Sequence, residues 1–140
     1  WSSDVCSSDL IERGVPVLMT NFSKILNQMG GMYSEERYRY IASFSQFPLL
    51  VIDDLGIERG TEYALEQVYG VVDERYKSGL PLLVTTNLTI HEIRNATDVA
   101  HARIFSRLLE MCTPVHIAGH DRRTAIGTAK QELVKEVLFE

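Results

Sequence analysis

Leu49-Leu50-Val51-Ile52-Asp53-Asp54-Leu55-Gly56 is the stretch from which the fold of this chain is read. Four consecutive apolar residues, two of them β-branched, lack the polar alternation of a half-exposed strand. They read as a strand buried on both faces, the state expected in a parallel sheet. Two carboxylates follow at its carboxyl end, and Gly56 turns the chain away. In open α/β sheets, ligands bind just beyond the carboxyl ends of the strands. An acidic pair there is placed to hold a hydrated magnesium ion and to orient a water against a phosphate. The alternative is a pair that caps the turn that follows, as Asp often does.

Upstream, Leu10 to Arg13 reads as the last turn of a helix closed by Gly14. Val15 to Met19 is then a short strand. Thr20 or Asn21 caps a helix with Phe22, Ile25, Leu26 and Met29 on its apolar face, and Gly30-Gly31 stops it. Ser34 caps a second helix, with Tyr38, Ile41 and Ala42 inward and Glu35, Glu36, Arg37 and Arg39 as its solvated face.

Downstream, Leu65, Val68, Tyr69, Val72 and Tyr76 recur at helical spacing from about Thr61 to Ser78, so this stripe is core. Gly79 and Pro81 end that helix. Leu82 to Thr86 is a second buried strand, delivering Asn87 at its carboxyl end. Thr89 and Glu92 form a capping box for a short helix. Asp98 caps the next, which buries Ile104, Leu108 and Met111. Pro114 to Ala118 is a last strand, followed by Arg122-Arg123 and a C-terminal helix. Strands alternating with helices mark a doubly wound α/β sheet.

A chain of 140 residues accommodates one domain, and its 45% hydrophobic share suffices for a core. No apolar run is long enough to cross a membrane. The net charge of −5 argues against a broad, sequence-independent grip on duplex DNA, which needs clustered Lys and Arg. Cys6 and Cys112 form neither a disulfide framework nor a metal-ligand pair, and four scattered histidines show no zinc spacing. A reducing, cytoplasmic setting is expected. Residues 1–10 are Ser-rich, with neither the basic nor the apolar region of a signal peptide. Asp4 to Leu10 resembles the conceptual translation of a sequencing-adapter end. This makes residues 1–10 a non-native or disordered leader and 11–140 the natural segment.

Three strand ends thus bring Asp53 and Asp54, Asn87, and Arg122-Arg123 to one edge, while Arg103 and Arg107 lie four apart on one helical face. Carboxylates for metal and water, an amide to orient the water and arginines for phosphate charge make a phosphoryl-transfer set. In this order the residues resemble the DnaC/IstB-like branch of the AAA+ ATPases, the helicase loaders and transposition helpers, over Leu10 to about Arg123. LLVIDDLG is similar to that family's Walker B segment, implying Asp53 on the Mg2+ side, through water, and Asp54 as catalytic acid. LLVTTNLT is similar to the strand ending in sensor 1, implying that role for Asn87. ARIFSRLLEMC resembles the arginine-finger helix, implying Arg103 as a finger acting on ATP bound by the neighbouring copy and Arg107 as its companion. Arg123 falls where the family has its second sensor arginine, though GHDRR departs from the aromatic-Arg form. The segment Tyr63–Leu88 is especially close to loaders of phage-type replication modules.

One element of the family is absent: no G-x-x-x-x-G-K-[ST] occurs, nor any Gly-Lys pair. The resemblance therefore implies a P-loop NTPase-type, three-layer AAA+ domain with a parallel sheet, lacking its first strand and Walker A loop and inactive alone. The implied function is ATP-driven helicase loading in DNA replication by a homo-oligomer, with a replicative helicase and single-stranded DNA as partners. A transposition helper and a non-catalytic interaction module are the alternatives.

Overall fold

In a computed structural model, which describes residues 11–56 and 61–118, the chain builds a parallel three-stranded sheet. Strand β1 (Val17–Thr20), β2 (Leu49–Ile52) and β3 (Leu82–Val84) lie in that spatial order, with β2 central. Val17 pairs with Leu49 and Thr20 with Ile52; Leu50 pairs with Leu82 and Ile52 with Val84. Leu50, Val51 and Ile52 are completely buried, as the unbroken apolar run predicts.

Helix α1 (Phe22–Met29), helix α2 (Ser34–Ser43) and a short 3₁₀ turn (Phe44–Gln46) connect β1 to β2. Helix α3 (Glu62–Ser78) lies between β2 and β3 in sequence, and α4 (Ile90–Arg94) and α5 (Val99–Met111) follow β3. The strands step across the sheet in one direction. Right-handed crossovers then place the connecting helices on one face. The core agrees. Phe22, Ile25 and Met29 of α1, Val68, Val71 and Val72 of α3, and Ile104, Phe105 and Leu108 of α5 gather with Leu50 and Ile52; Leu18, Leu82 and Val84 pack beside them. Met19 and Leu83, register partners of Val51, point to the opposite face.

Helix starts follow their caps. The Asn21 carboxamide oxygen accepts from the Lys24 N–H at 2.9 Å, so Asn21 is the cap of α1. Thr61 accepts from the Ala64 N–H at 3.2 Å at the start of α3, and Gly79 closes that helix in the left-handed region, φ 67°. Helix α2 differs from expectation. Ser34 is its first helical residue, and the Glu36 carboxylate reaches back to the Tyr33 N–H at 3.0 Å. The inward face is Tyr40, Ile41 and the following Phe44, with Tyr40 edge-on to Phe44 at 5.0 Å, while Tyr38 is 71% exposed. Moving the stripe one residue along a helix rotates it by roughly 100°, enough to turn Tyr38 into solvent.

The final strand expected over Pro114–Ala118 is not formed. Residues 113–118 are exposed, Val115 at 77% and Ile117 at 65%. A strand exists where a neighbour takes its backbone hydrogen bonds, and among the described residues no strand lies beyond β3. The C-terminal helix and Arg122-Arg123 lie outside the described residues.

The largest departure from apolar patterning is Arg75, only 2% exposed. It falls three residues after Val72 and four after Val71, on the buried face of α3. Its Nη1 donates to the carbonyls of Phe44 at 3.1 Å and Phe47 at 2.9 Å. Nη2 donates to Pro48 at 3.1 Å and Pro81 at 2.6 Å, and Nε to Pro81 at 3.0 Å. One guanidinium thus ties the end of α3 to the lead-in segments of β2 and β3. Burial pushes its pKa down, yet a guanidinium stays protonated in proteins.

Replacing Arg75 by Ala strands the Phe47 and Pro48 carbonyls and removes the packing of a buried side chain. Phe44 and Pro81 are left with only the Phe47 N–H at 3.2 Å and the Leu50 N–H at 3.4 Å. Each buried, unsatisfied polar group costs about 1–3 kcal/mol. Arg75→Ala is therefore expected to lose at least about 3 kcal/mol in chemical denaturation, or not to fold. Arg75→Lys should lose nearly as much, because an ammonium has three donors without the planar fork. A Lys variant within about 1 kcal/mol of the parent would show that charge alone, and not the fork, fills the site.

Candidate functional site

The parallel register sets Asp53 beyond Ile52 and Thr85 beyond Val84, so acid and hydroxyl meet at the carboxyl end of adjacent strands. The Thr85 hydroxyl donates to Asp53 Oδ1 at 2.7 Å and accepts from the Asp54 N–H at 2.8 Å. The Asp53 N–H donates to the Thr20 carbonyl at 2.8 Å, extending the β1–β2 ladder by one residue. On the other side the Leu55 N–H donates to the Thr85 carbonyl at 2.7 Å, and the Thr86 hydroxyl to the Leu55 carbonyl at 2.6 Å. Leu55 is buried in the core and anchors the loop behind the acids.

Between these anchors Asp54 has φ 55°, the left-handed region that L-residues avoid and Asp or Asn tolerate best. Its carbonyl accepts from the Gly56 N–H at 2.7 Å, completing a tight turn. Asp54 is exposed, while Asp53 beside it is partly buried. The Asp pair thus both forms a turn and presents two carboxylates at one strand end. Asn87 stands exposed two residues beyond Thr85.

Thr85 is the residue that apolar patterning missed. Its signal was present: two threonines end an apolar strand whose parallel neighbour ends in two aspartates. A hydroxyl that orients a carboxylate is the usual companion of a metal-side acid. The donor set suits Mg2+, which takes one or two carboxylates and fills its remaining positions with water and phosphate oxygens. Among the described residues no group of three or more His, Cys, Asp or Glu side chains gathers as a metal cage.

Arg103 and Arg107 lie on α5, where it packs along α3. The Arg103 guanidinium stacks 4.2 Å from the Tyr69 ring centroid, and that of Arg107 stacks 4.2 Å from the Tyr76 centroid. Arg107 is further engaged by Asp73 at 3.3 Å and Glu110 at 3.6 Å, and Asp73 also pairs with Lys77 at 2.6 Å. The guanidiniums of Arg103 and then Arg107 hold the Tyr69 phenol below its ordinary pKa. An open groove of about 430 Å³ runs beside Arg103, lined by Tyr69, Asp98, Val99, Ala102 and Ser106. The contacts of the two arginines are with α3 and α5, not with the Asp53–Thr85–Asp54 network. Arg123 lies outside the described residues.

No family model matches the chain. It is 28% identical over 86 residues to the replicative helicase loader DnaI of Bacillus subtilis (strain 168), covering 54% of this chain and 28% of that protein. From the same organism, the phage-like element PBSX protein XkdC is 36% identical over 73 residues, covering 49% and 26%. The uncharacterized protein YqaM is 39% identical over 69 residues, covering 46% and 21%. The matches thus span roughly a quarter of the length of these curated relatives.

The left-handed backbone at Asp54 separates conformational from chemical effects. Asp54→Ala is expected to cost about 1 kcal/mol of stability, because its Cβ gains no compensating local hydrogen bond. Asp54→Gly and Asp54→Asn should stay within about 0.5 kcal/mol of the parent. Parallel denaturation curves of the three variants check this; an Ala variant as stable as the Gly variant would remove the backbone argument.

Proposed function

We propose that this chain is part of an ATP-hydrolysing helicase loader of the DnaC/IstB-like AAA+ class, acting in DNA replication. The observation that carries the proposal is the pinned acid pair at the carboxyl end of the central parallel strand, in a chain similar to a replicative helicase loader. The sheet is compatible with a P-loop-type domain. In the three-layer form a second helical layer would cover the face of Met19 and Leu83, and the first strand and Walker A loop would lie on the N-terminal side of Ile11.

When bound, Mg2+ would supply charge neutralisation at the phosphates. Asp53, oriented by the Thr85 hydroxyl, would hold it through water. Asp54, one residue on and exposed, would accept the proton of the attacking water, and Asn87 would orient that water. Arg103 would reach the γ-phosphate held by a neighbouring copy, where a permanently charged planar donor matches the spread of charge over the phosphoryl oxygens. Arg123 would complete the cationic lining, and Arg107, tied to Asp73 and Glu110, would serve as the companion that holds the Arg103 helix in place. Tyr33, Tyr38 and Tyr63 are exposed, and Arg37 lies over the Tyr63 ring while donating to its hydroxyl at 3.0 Å. Stacking rings beside a guanidinium suit single-stranded DNA, whose bases all present a π-face. A replicative helicase, a homo-oligomeric assembly and a cytoplasmic setting complete the proposal.

The absence of any Gly-Lys pair in the chain favours a second reading, a protein-interaction module that does not bind nucleotide. Calorimetry separates the two. The 140-residue chain should show no micromolar affinity for Mg-ATP, because the phosphate cradle of such enzymes is the missing loop. A protein restored with its natural N-terminal sequence should bind, and Asp54→Asn in it should keep binding while turnover falls at least about 100-fold. A restored protein that does not bind ATP would support the interaction module.

Action of Arg103 on a neighbour's nucleotide is tested by mixing. Alone, Arg103→Ala should lose roughly 10³-fold or more in rate, and Asp54→Asn at least about 100-fold. Mixed assemblies should regain turnover, since some interfaces then pair an intact Asp54 with an intact Arg103. Absence of recovery in demonstrably mixed assemblies would rule out action between subunits.

A further inference from the structure

The two arginines of α5 are held in different ways. Arg107 is tied by two carboxylates, Asp73 and Glu110, and by the ring of Tyr76. Its charge is spent within the protein. Arg103 is exposed, pairs with no carboxylate among the described residues, and lies flat on Tyr69. A carboxylate takes the in-plane N–H donors of a guanidinium, the same donors a phosphate would need. A ring face takes only the plane and leaves that edge available. The stack on Tyr69, with the Tyr69 hydroxyl taking one guanidinium donor, therefore fixes orientation without neutralising the charge and leaves the other donors available.

We propose that Tyr69 is the positioning residue for Arg103, presenting its guanidinium edge-outward beside the α3–α5 groove, while Arg107 is the strut that locks the two helices together. The inference rests on the reading of Arg103 as acting on a neighbour's ATP. Tyr69 belongs to α3, the helix that follows the acid-bearing loop within the same subunit. A substitution that merely disturbed α3 would therefore behave like damage to the Asp54 site. One that acts through Arg103 would behave like damage to the finger, and the mixing experiment tells these apart.

In the protein restored with its natural N-terminal sequence, Tyr69→Leu is expected to lower kcat about tenfold, the rate equivalent of a stacked cation–π contact, with the KM for ATP unchanged within about twofold. Tyr69→Phe keeps the ring face and should turn over at close to the parent rate. Tyr69→Gln, a second ringless variant, should match Tyr69→Leu and serves if that variant does not assemble. Mixed with Asp54→Asn subunits, Tyr69→Leu should exceed the summed activity of the two. Mixed with Arg103→Ala it should not. Recovery with Arg103→Ala but not with Asp54→Asn would place Tyr69 with the acids and overturn the inference. So would a parent-rate Tyr69→Leu or Tyr69→Gln beside an inactive Arg103→Ala, which leaves the finger reading standing. Parent-rate turnover by Arg103→Ala itself would instead remove the finger reading, and this inference with it.

Discussion

A guanidinium in a protein core has to satisfy five N–H donors, and Arg75 satisfies all of them on backbone carbonyls. Those carbonyls belong to Phe44, Phe47, Pro48 and Pro81. Three of them come from the run into β2 and one from the run into β3. The segments themselves are poor at pairing: Pro48 and Pro81 lack N–H groups, and the 3₁₀ turn ends at Gln46, leaving carbonyls turned inward. Without a multivalent donor at this point, β2 would enter the sheet over the unpaired Phe47 and Pro48 carbonyls, and Pro81 before β3 would keep only its long bond from the Leu50 N–H at 3.4 Å. Arg75 converts that liability into a fixed origin for both strands, and the short ladder from Leu50↔Leu82 to Ile52↔Val84 begins beside it.

Strand origin decides what meets at the other end. Three register pairs link β2 and β3, so a shift of one residue at the Arg75 end would carry through to the acid end. In the observed register Thr85 lies beside Asp53, and one hydroxyl serves a carboxylate and a strained N–H together. The left-handed turn at Asp54 is held by that hydrogen bond, by Gly56 donating to the Asp54 carbonyl and by the burial of Leu55. Backbone strain of this kind persists only where its surroundings over-determine it. Here they do so from both flanks.

How much of this was legible depended on how local the cause was. The caps at Asn21, Thr89 and Asp98 and the stop at Gly79 are decided within four residues, and each could be read from the sequence, with Thr20 as the only rival at the first. Thr61, read only as the approximate start of its helix, is in fact its cap. The burial of β2 was legible too, because an unbroken apolar run needs no partner to be identified. The face of α2 was not. Tyr38 and Tyr40 are the same residue type two positions apart, and only contact with Phe44 and the core selects between them. Arg75 was opaque for a similar reason, since a charged residue on an apolar stripe makes sense only once four distant carbonyls are known to converge on it. Pro114–Ala118 has the composition of a strand, yet strand formation belongs to a pair of segments, and one segment alone cannot decide it. At the candidate site the acids announced themselves by position, whereas Thr85 became visible only through the register that sets it opposite Asp53.

One helix connects these features. The first residues of α3 follow the acid-bearing loop, its middle presents Tyr69 to Arg103, and its last turns carry Tyr76 toward Arg107 and Arg75 into the core. Seven residues, about two turns, separate the two tyrosines, and Asp73 lies between them pairing with Lys77 on its own helix and Arg107 on α5. A rigid element anchored at its far end by Arg75 cannot slide along the sheet without breaking several hydrogen bonds to carbonyls at once. Tyr69 is thereby held at a fixed distance along the helix from the loop that carries Asp53 and Asp54. If the two ends of α3 serve two different nucleotides, as proposed for the acids and for Arg103, the geometry between successive sites is set by the length of one helix and by the charge buried at its end.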